Sequence, residues 1–172
     1  MTDSMSHQDV QAAWAALAQG VRTGVLLTLR NSHPFGSHVP FVFGPDWTRA
    51  YLHLSRLASH TQHLLTDPRL SLFISEPDRP EKNPLALKRM NLQGEAAMLM
   101  TDAPHYAEVK EKYLARFPLA ATMFGFSDFA LWELMLQDAH LVLGFGQAYL
   151  STARTPHEWA HQKPEQKPAA KN

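Results

Sequence analysis

The sequence predicts a small antiparallel β-barrel with peripheral helices. Its 172 residues, 45% of them hydrophobic, suffice for one domain. Short apolar or alternating runs recur along the chain and are interleaved with three helical patterns. Because these elements show no strict β-α-β alternation, an antiparallel sheet is favoured over a parallel one.

Three helices are expected, two of which are long. The first covers the first twenty residues, with Val10, Trp14 and Leu17 on one face, Ser6 as its N-cap and Gly20 as its end.

The other two helices are placed by their boundary residues. A short one is predicted within residues 55–67, because the residue before Pro68 disfavours the helical region. The last is predicted from about residue 103 to 116, with Asp102 as its N-cap and Pro104 in its first turn.

Seven segments have the composition or alternation of β-strands. The clearest alternation puts Met90 and Leu92 on one face and Asn91 and Gln93 on the other. Strands are predicted over residues 23–30, 37–43, 50–54, 70–75, 87–100, 129–136 and 139–150. Residues 1–150 are therefore assigned to one barrel domain that includes the N-terminal helix. Residues 151–172, which are polar and rich in proline, are predicted to form a flexible tail.

Composition excludes several classes of protein. Sixteen basic and sixteen acidic residues balance, so a broad basic field for nucleic acid is not expected. There is no cysteine, which excludes disulfides, thiolate metal sites and cysteine nucleophiles. No signal peptide or membrane span is recognisable, so we expect a cytoplasmic protein. The motifs GxSxG, HExxH, GxGxxG and the Walker loop are also absent.

One cluster of side chains is suited to binding a phosphate. Ser55, Arg56, Ser59, His60 and Thr61 surround the predicted start of the short helix. Hydroxyl, imidazole and guanidinium donors, together with free helix amides, suit a phosphate group. An ordinary N-capped surface helix would explain the same residues.

Three further groups of residues leave alternatives open. Gly36, ahead of a predicted strand, could let a flat ring approach the backbone, although turn chemistry explains it equally well. Arg89 matters only if an anion lies nearby, since a half-buried strand normally exposes polar residues. His53, His60 and His63 lie close in sequence, and the pair His60 and His63 on the short helix could chelate a metal, but no third ligand for it is evident. From the residues alone, a phosphorylated cofactor is the strongest hypothesis.

Five segments, taken in order, resemble a known family. They are HPFGSHVPFVF (33–43), LHLSRLASHTQHLLTDPRLSL (52–72), LKRMNLQGEA (87–96), FSDFALWEL (126–134) and LVLGFGQAYL (141–150). The family is that of the split β-barrel FMN-binding proteins related to pyridoxamine 5'-phosphate oxidase, specifically its haem-utilisation branch. The resemblance implies a homodimer with FMN at the subunit interface.

The resemblance also assigns residues to the cofactor. The strand that includes Ser37, His38 and Val39, preceded by Gly36, would line the flavin ring. The phosphate and ribityl chain would be held at the strand end and helix start by Leu54, Ser55, His60 and Thr61, with Arg89 nearby. No catalytic residue is assigned, because the flavin itself would supply hydride or electron transfer. Vitamin B6 oxidation is not expected, since the arginine and histidine pair that binds that substrate is missing.

Three functions remain open at this stage. The leading one is an FMN-dependent oxidoreductase acting on an unidentified small molecule. The alternative is a haem-binding or haem-handling protein, in which His157 or His161 supplies an axial nitrogen. The third is a dimeric interaction module on the same fold that has lost its cofactor.

Overall fold

The computed structural model describes residues 5–152 and 158–162, which form an antiparallel sheet with helices at its periphery. The helices are α1 (His7–Gly20), α2 (Ser59–Thr66) and α3 (Tyr106–Arg116). The strands are β1 (Thr23–Arg30), β2 (His33–Pro40), β3 (Val42–Phe43), β4 (Arg49–Ser55), β5 (Arg69–Ser75), β6 (Arg89–Met98), β7 (Phe129–Gly144), β8 (Gln147–Thr152) and β9 (Ala160–His161). The predicted antiparallel barrel with peripheral helices is confirmed.

The strand β7 organises the sheet, whose order is β2-β1-β5-β6-β7-β4-β3. One edge of β7 pairs with β6. Its other edge pairs with β4 along residues 129–135 and with β8 along residues 138–144. The sheet therefore branches at β7, which allows it to curl around a core while staying open on one side.

The main core lies between the inner face of the sheet and α1. Helix α1 begins at the predicted cap, where the Ser6 hydroxyl accepts from the Asp9 amide at 3.2 Å. It buries Val10, Trp14 and Leu17, as its spacing predicts. The Trp14 ring meets the ring of Phe43 edge-on at 4.9 Å.

A second core lies between α3 and the outer side of β4. Alternate residues of β4 face opposite ways, so Leu52 enters the main core while Tyr51 meets Val109 and Tyr113 of α3. Residues 50–54 are buried without interruption for this reason.

The largest differences from the predicted boundaries are in three elements. Residues 129–144 form one continuous strand rather than parts of two. The predicted break coincides with a register shift between β6 and β7, where Gln93 pairs with Asp138 and Gly94 with Leu136. Helix α3 begins at Tyr106 with His105 as its N-cap, after turns that include Asp102. Strand β2 begins at residue 33, so residues predicted as a turn are paired instead.

Part of the segment predicted to be a flexible tail packs against the barrel. Ala160 and His161 pair with β8, and Trp159 is buried in the main core. The Trp159 indole nitrogen donates to Gln11 Oε1 at 2.9 Å, and its backbone amide donates to His7 Nδ1 at 3.0 Å. Residues 153–157 and 163–172 of the predicted tail, including His157, lie outside the described residues.

A membrane-crossing helix was also sought. In the part of the chain that the structure describes, none of the helices has both the length and the apolar content that crossing a lipid bilayer requires.

Candidate functional site

The predicted phosphate cluster forms around the end of β4, but two of its donors, Ser55 and Arg56, are already engaged. The Ser55 hydroxyl donates to Asp128 Oδ2 at 2.5 Å and accepts from the Leu57 amide at 3.1 Å. The Arg56 guanidinium donates to the Ser127 carbonyl at 2.9 Å. A carboxylate beside Ser55 repels a dianionic phosphate, so the local charge does not favour one there.

Helix α2 contributes His60 and Thr61 at its N-terminal end. Its N-cap is Ala58, which provides no side-chain hydrogen bond. Thr61 is fully buried and its hydroxyl has no partner among the described residues. Burial, assisted by the nearby His63, lowers the pKa of His60, so a neutral imidazole is expected at neutral pH.

The β2 residues predicted to line a flavin ring lie on the edge strand of the sheet. Antiparallel pairing sets Gly36 opposite Leu27 and His38 opposite Val25. Ser37 is half-buried and Val39 is buried in the main core. Leu54, predicted at the same site, also lies in the main core. The backbone of β2 is therefore accessible, while two of the predicted side chains point inward.

Arg89 is not brought to the other predicted phosphate ligands. Ser55 pairs with Phe129, whereas Arg89 pairs with Val142. These partners stand near opposite ends of β7, roughly 40 Å apart along an extended strand. The Arg89 guanidinium donates to the carbonyls of Leu85 and Leu87 at 3.2 and 3.0 Å. Within one copy of the chain, Arg89 therefore lies far from Ser55.

Of the three clustered histidines, His53 is part of the second core. Its ring stacks on Phe124 with the centroids 3.8 Å apart, and burial lowers its pKa to about 4. His63 instead hydrogen-bonds Thr28 Oγ1 through Nδ1 at 2.9 Å. Within residues 5–152 and 158–162, no three histidine or carboxylate side chains converge as metal ligands.

His161 has an arrangement that suits ligation of a metal centre. Its Nε2 is 2.9 Å from the Gly146 carbonyl oxygen and donates to it. Its Nδ1 is buried and has no partner among the described residues. In this tautomer Nδ1 carries a free lone pair, and metal-bound histidines commonly donate their other nitrogen to a backbone carbonyl.

One polar cluster was missed from the sequence. Oε1 of Glu133 accepts from Tyr51 Oη at 3.3 Å and from His105 Nε2 at 3.2 Å, and it forms an ion pair with Arg49 Nε at 3.2 Å. Burial and the neighbouring Glu133 carboxylate raise the pKa of Tyr51 to about 12. The only signal in the sequence is the strand alternation, which shows that Tyr51 faces away from Leu52 but not what it faces.

Comparisons with known proteins were made for the whole chain. No protein-family model matches it. The haem oxygenase HutZ of Vibrio cholerae is 28% identical over 117 residues, covering 67% of this chain and 65% of that protein. The non-canonical chloroplastic haem oxygenase HOZ of Arabidopsis thaliana is 31% identical, covering 73% of this chain and 37% of that protein. The chain therefore spans less than two thirds of the length of either relative.

The chain is also similar to solved structures, one of which is named as haem-binding. A haem-binding protein from Mycobacterium smegmatis has a TM-score of 0.76 and 27% identity, covering 91% of this chain and 62% of that one. The chain resembles the haem-utilisation branch of the split-barrel proteins. A putative pyridoxamine 5'-phosphate oxidase from Listeria innocua, with a TM-score of 0.57 and 11% identity, shows the split-barrel fold alone, covering 80% of this chain and 98% of that one.

The prediction that FMN is the cofactor of this split-barrel protein is wrong. Both curated relatives are named as haem oxygenases, and the structure from Mycobacterium smegmatis is named as haem-binding. The physical reason is visible in the predicted phosphate cluster, where Ser55 faces the Asp128 carboxylate and Arg89 lies at the other end of β7. The FMN-dependent oxidoreductase depended on this cofactor and is set aside with it.

Proposed function

We propose that this split-barrel protein binds haem and takes part in haem handling. Support comes from the relatives, since the two curated ones are named haem oxygenases. A fold alone does not carry a function, so the proposal needs a group on this chain that suits haem iron.

His161 is that group, and the observation that carries the proposal is its unpartnered Nδ1. The ring is oriented by the Gly146 carbonyl and by the Tyr149 ring, whose centroid is 5.1 Å away. If binding uncovers Nδ1, which is buried here, His161 would offer an axial nitrogen to haem iron, and bound haem would supply iron redox chemistry. His157, the other predicted ligand, lies outside the described residues.

The test is a titration of the purified protein with ferric haem, followed by its Soret absorption. We expect a saturable Soret shift in the wild type that is lost or strongly reduced in His161→Ala. His33→Ala is the matched control, because His33 Nδ1 also lies 2.9 Å from a backbone carbonyl, that of Asn31. His33→Ala should titrate like the wild type.

Two results would contradict the proposal. No saturable shift in the wild type would show that the chain does not bind haem. A shift lost in His157→Ala but retained in His161→Ala would leave haem binding intact and remove His161 as the ligand.

We also propose that the protein is a homodimer formed through the outer face of β1 and β5. Val25, Leu27 and Leu29 point outward from β1, and Phe73 pairs with Val25 on the same face. These side chains are half-buried, and Leu27 and Leu29 also line a cavity of about 340 Å³. An apolar sheet face of this kind suits an isologous contact with a second copy. Gly36 and His38, predicted to contact a cofactor, would then lie at the interface.

Sedimentation velocity tests the dimer with a pair of matched substitutions. Leu27→Glu places a charge on the proposed interface and should give a monomer that remains folded. Leu85→Glu makes the same change at a leucine that is 68% exposed elsewhere, and should leave the dimer intact. A wild-type protein that sediments as a monomer would contradict the proposal.

A further inference from the structure

A groove runs between α3 and the turn that joins β3 to β4. It consists of two adjoining cavities, of about 300 and 160 Å³, which share Gly44, Pro45 and Lys112. The larger volume lies at the lower end of the range for small-molecule sites. One helical face of α3 forms the wall of both, contributed by Glu108, Val109, Lys112, Ala115 and Arg116.

The floor and one side of the larger cavity are aromatic. Phe41, Phe43 and Trp47 line it, and the rings of Phe43 and Trp47 lie 5.5 Å apart. Trp47 has φ of 61°, a left-handed conformation that is costly for a bulky residue. The turn is held by Asp46, whose carboxylate accepts from the amide and hydroxyl of Thr48 at 3.2 and 2.7 Å. A flat aromatic wall is therefore fixed in position at the cavity.

The opposite wall of the larger cavity carries positive charge with no ionic partner. Arg116 Nη2 donates to the carbonyls of Gln19 and Val21 at 3.1 and 2.7 Å, while its Nε is buried and unpartnered among the described residues. Arg22 approaches Arg116, donating to its carbonyl at 2.9 Å. Burial and the Arg22 charge lower the pKa of Arg116. Within residues 5–152 and 158–162, neither of these arginines nor Lys112 has a carboxylate within 4 Å.

We propose that the larger cavity binds a small organic anion with a flat apolar body. The carboxylate or sulfonate of the ligand lies at Lys112 and Arg116, and its body packs against Phe43 and Trp47. An anion between Lys112 and Arg116 would give both cations the ionic partner that they lack, and its hydrogen bonds would be charge-assisted. The acid of the groove, Glu108, lines only the smaller cavity. The site is separate from His161 and goes beyond haem binding.

The experiment is isothermal titration calorimetry of the full chain with 2-naphthoate, which combines a flat apolar body with a carboxylate. The neutral alcohol 2-naphthalenemethanol and inorganic phosphate are titrated beside it. Lys112→Gln removes one exposed cation from the cavity wall without touching the core. Lys82→Gln is the matched control, since Lys82 pairs with Glu76 at 3.1 Å on a different part of the surface.

The expected result is saturable binding of 2-naphthoate that is about fivefold weaker in Lys112→Gln, the loss expected for one exposed charge. It should be unchanged in Lys82→Gln. The neutral alcohol should bind about tenfold more weakly, because its hydroxyl carries no charge and cannot form charge-assisted bonds with the two cations.

The proposal is overturned by equal affinity in Lys112→Gln and the wild type, or by equal affinity for acid and alcohol. It is also overturned if phosphate binds as tightly as 2-naphthoate, which would mark a plain anion site. Haem titration separates this outcome from the proposed function: Lys112→Gln should keep the Soret shift, and His161→Ala should keep binding of 2-naphthoate.

Discussion

Gly94 is the most restricted of the glycines in the described residues, and replacing it with alanine should destabilise the protein strongly. The new Cβ would lie 2.1 Å from the Met135 carbonyl oxygen, 3.0 Å from its carbon and 3.1 Å from Leu136 Cα. All three atoms belong to the backbone of β7. That backbone is paired with β6 on one side and, at Met135, with Arg49 of β4 on the other.

The size of the stability loss follows from the distance by which the β7 backbone must shift. Ordinary carbon contacts lie near 3.5 Å or beyond, so relieving a 2.1 Å approach needs a shift of more than about 1 Å in a strand paired on both edges. Overpacking in a core costs about 1–3 kcal/mol, and here the obstacle is backbone rather than a flexible side chain. We therefore expect a loss of about 3 kcal/mol or more, which corresponds to roughly 6–12 °C in Tm for a chain of this size.

Urea unfolding, followed by tryptophan fluorescence, measures this loss. Gly125→Ala is the matched control, because no atom lies within 4 Å of a Cβ built there. That variant should stay within about 0.5 kcal/mol of the wild type, as surface substitutions usually do. If the unfolding free energy of Gly94→Ala were also within about 0.5 kcal/mol of the wild type, β6 and β7 would not approach each other as closely at the register shift as described.

Three further substitutions test other parts of the molecule. His53→Phe should make the free energy of unfolding less sensitive to acid, because burial lowers the pKa of His53 to about 4 in the folded state. In the wild type, the stabilisation from neutral His53 is complete above about pH 6.5, and roughly 2–3 kcal/mol of it is lost as the pH falls towards 4. Equal pH profiles of unfolding free energy in variant and wild type would refute this. Trp159→Ala should cost about 3 kcal/mol in urea unfolding, since the ring is buried in the main core, and an unchanged midpoint would show that residues 158–162 do not pack there. Glu133→Gln should lower the pKa of Tyr51 from about 12 while burial keeps it above its usual value, which ultraviolet titration of the phenol detects; no change would mean that the two groups do not interact.

The elements that depend on local pattern could be predicted from the sequence. Helix α1 begins after Ser6 and ends at Gly20 as expected, and β1 covers the predicted residues. The predicted strands 129–136 and 139–150 leave out Gln137 and Asp138, which are polar and in the structure are exposed. In the structure they lie at the register shift beside Gly94. An irregularity of this kind lets a strand continue while its polar residues face outward.

The candidate sites depend on partners far away in sequence, and this limited their prediction. The sequence shows the Ser55 hydroxyl, but the Asp128 carboxylate that engages it lies 73 residues further on. The pairing of β4 with β7 brings Tyr51 to Glu133 across 82 residues. The role of a hydroxyl near a helix start therefore depends on sheet register, which residue patterns alone do not define.

The most direct test of haem binding is a competition between the two cofactors that this fold suggested. The purified protein is incubated with equal amounts of ferric haem and FMN, desalted, and its absorption spectrum is recorded. We expect the protein fraction to retain a Soret band while the flavin passes into the small-molecule fraction. A yellow protein fraction with flavin absorption and no Soret band would contradict the assignment of haem.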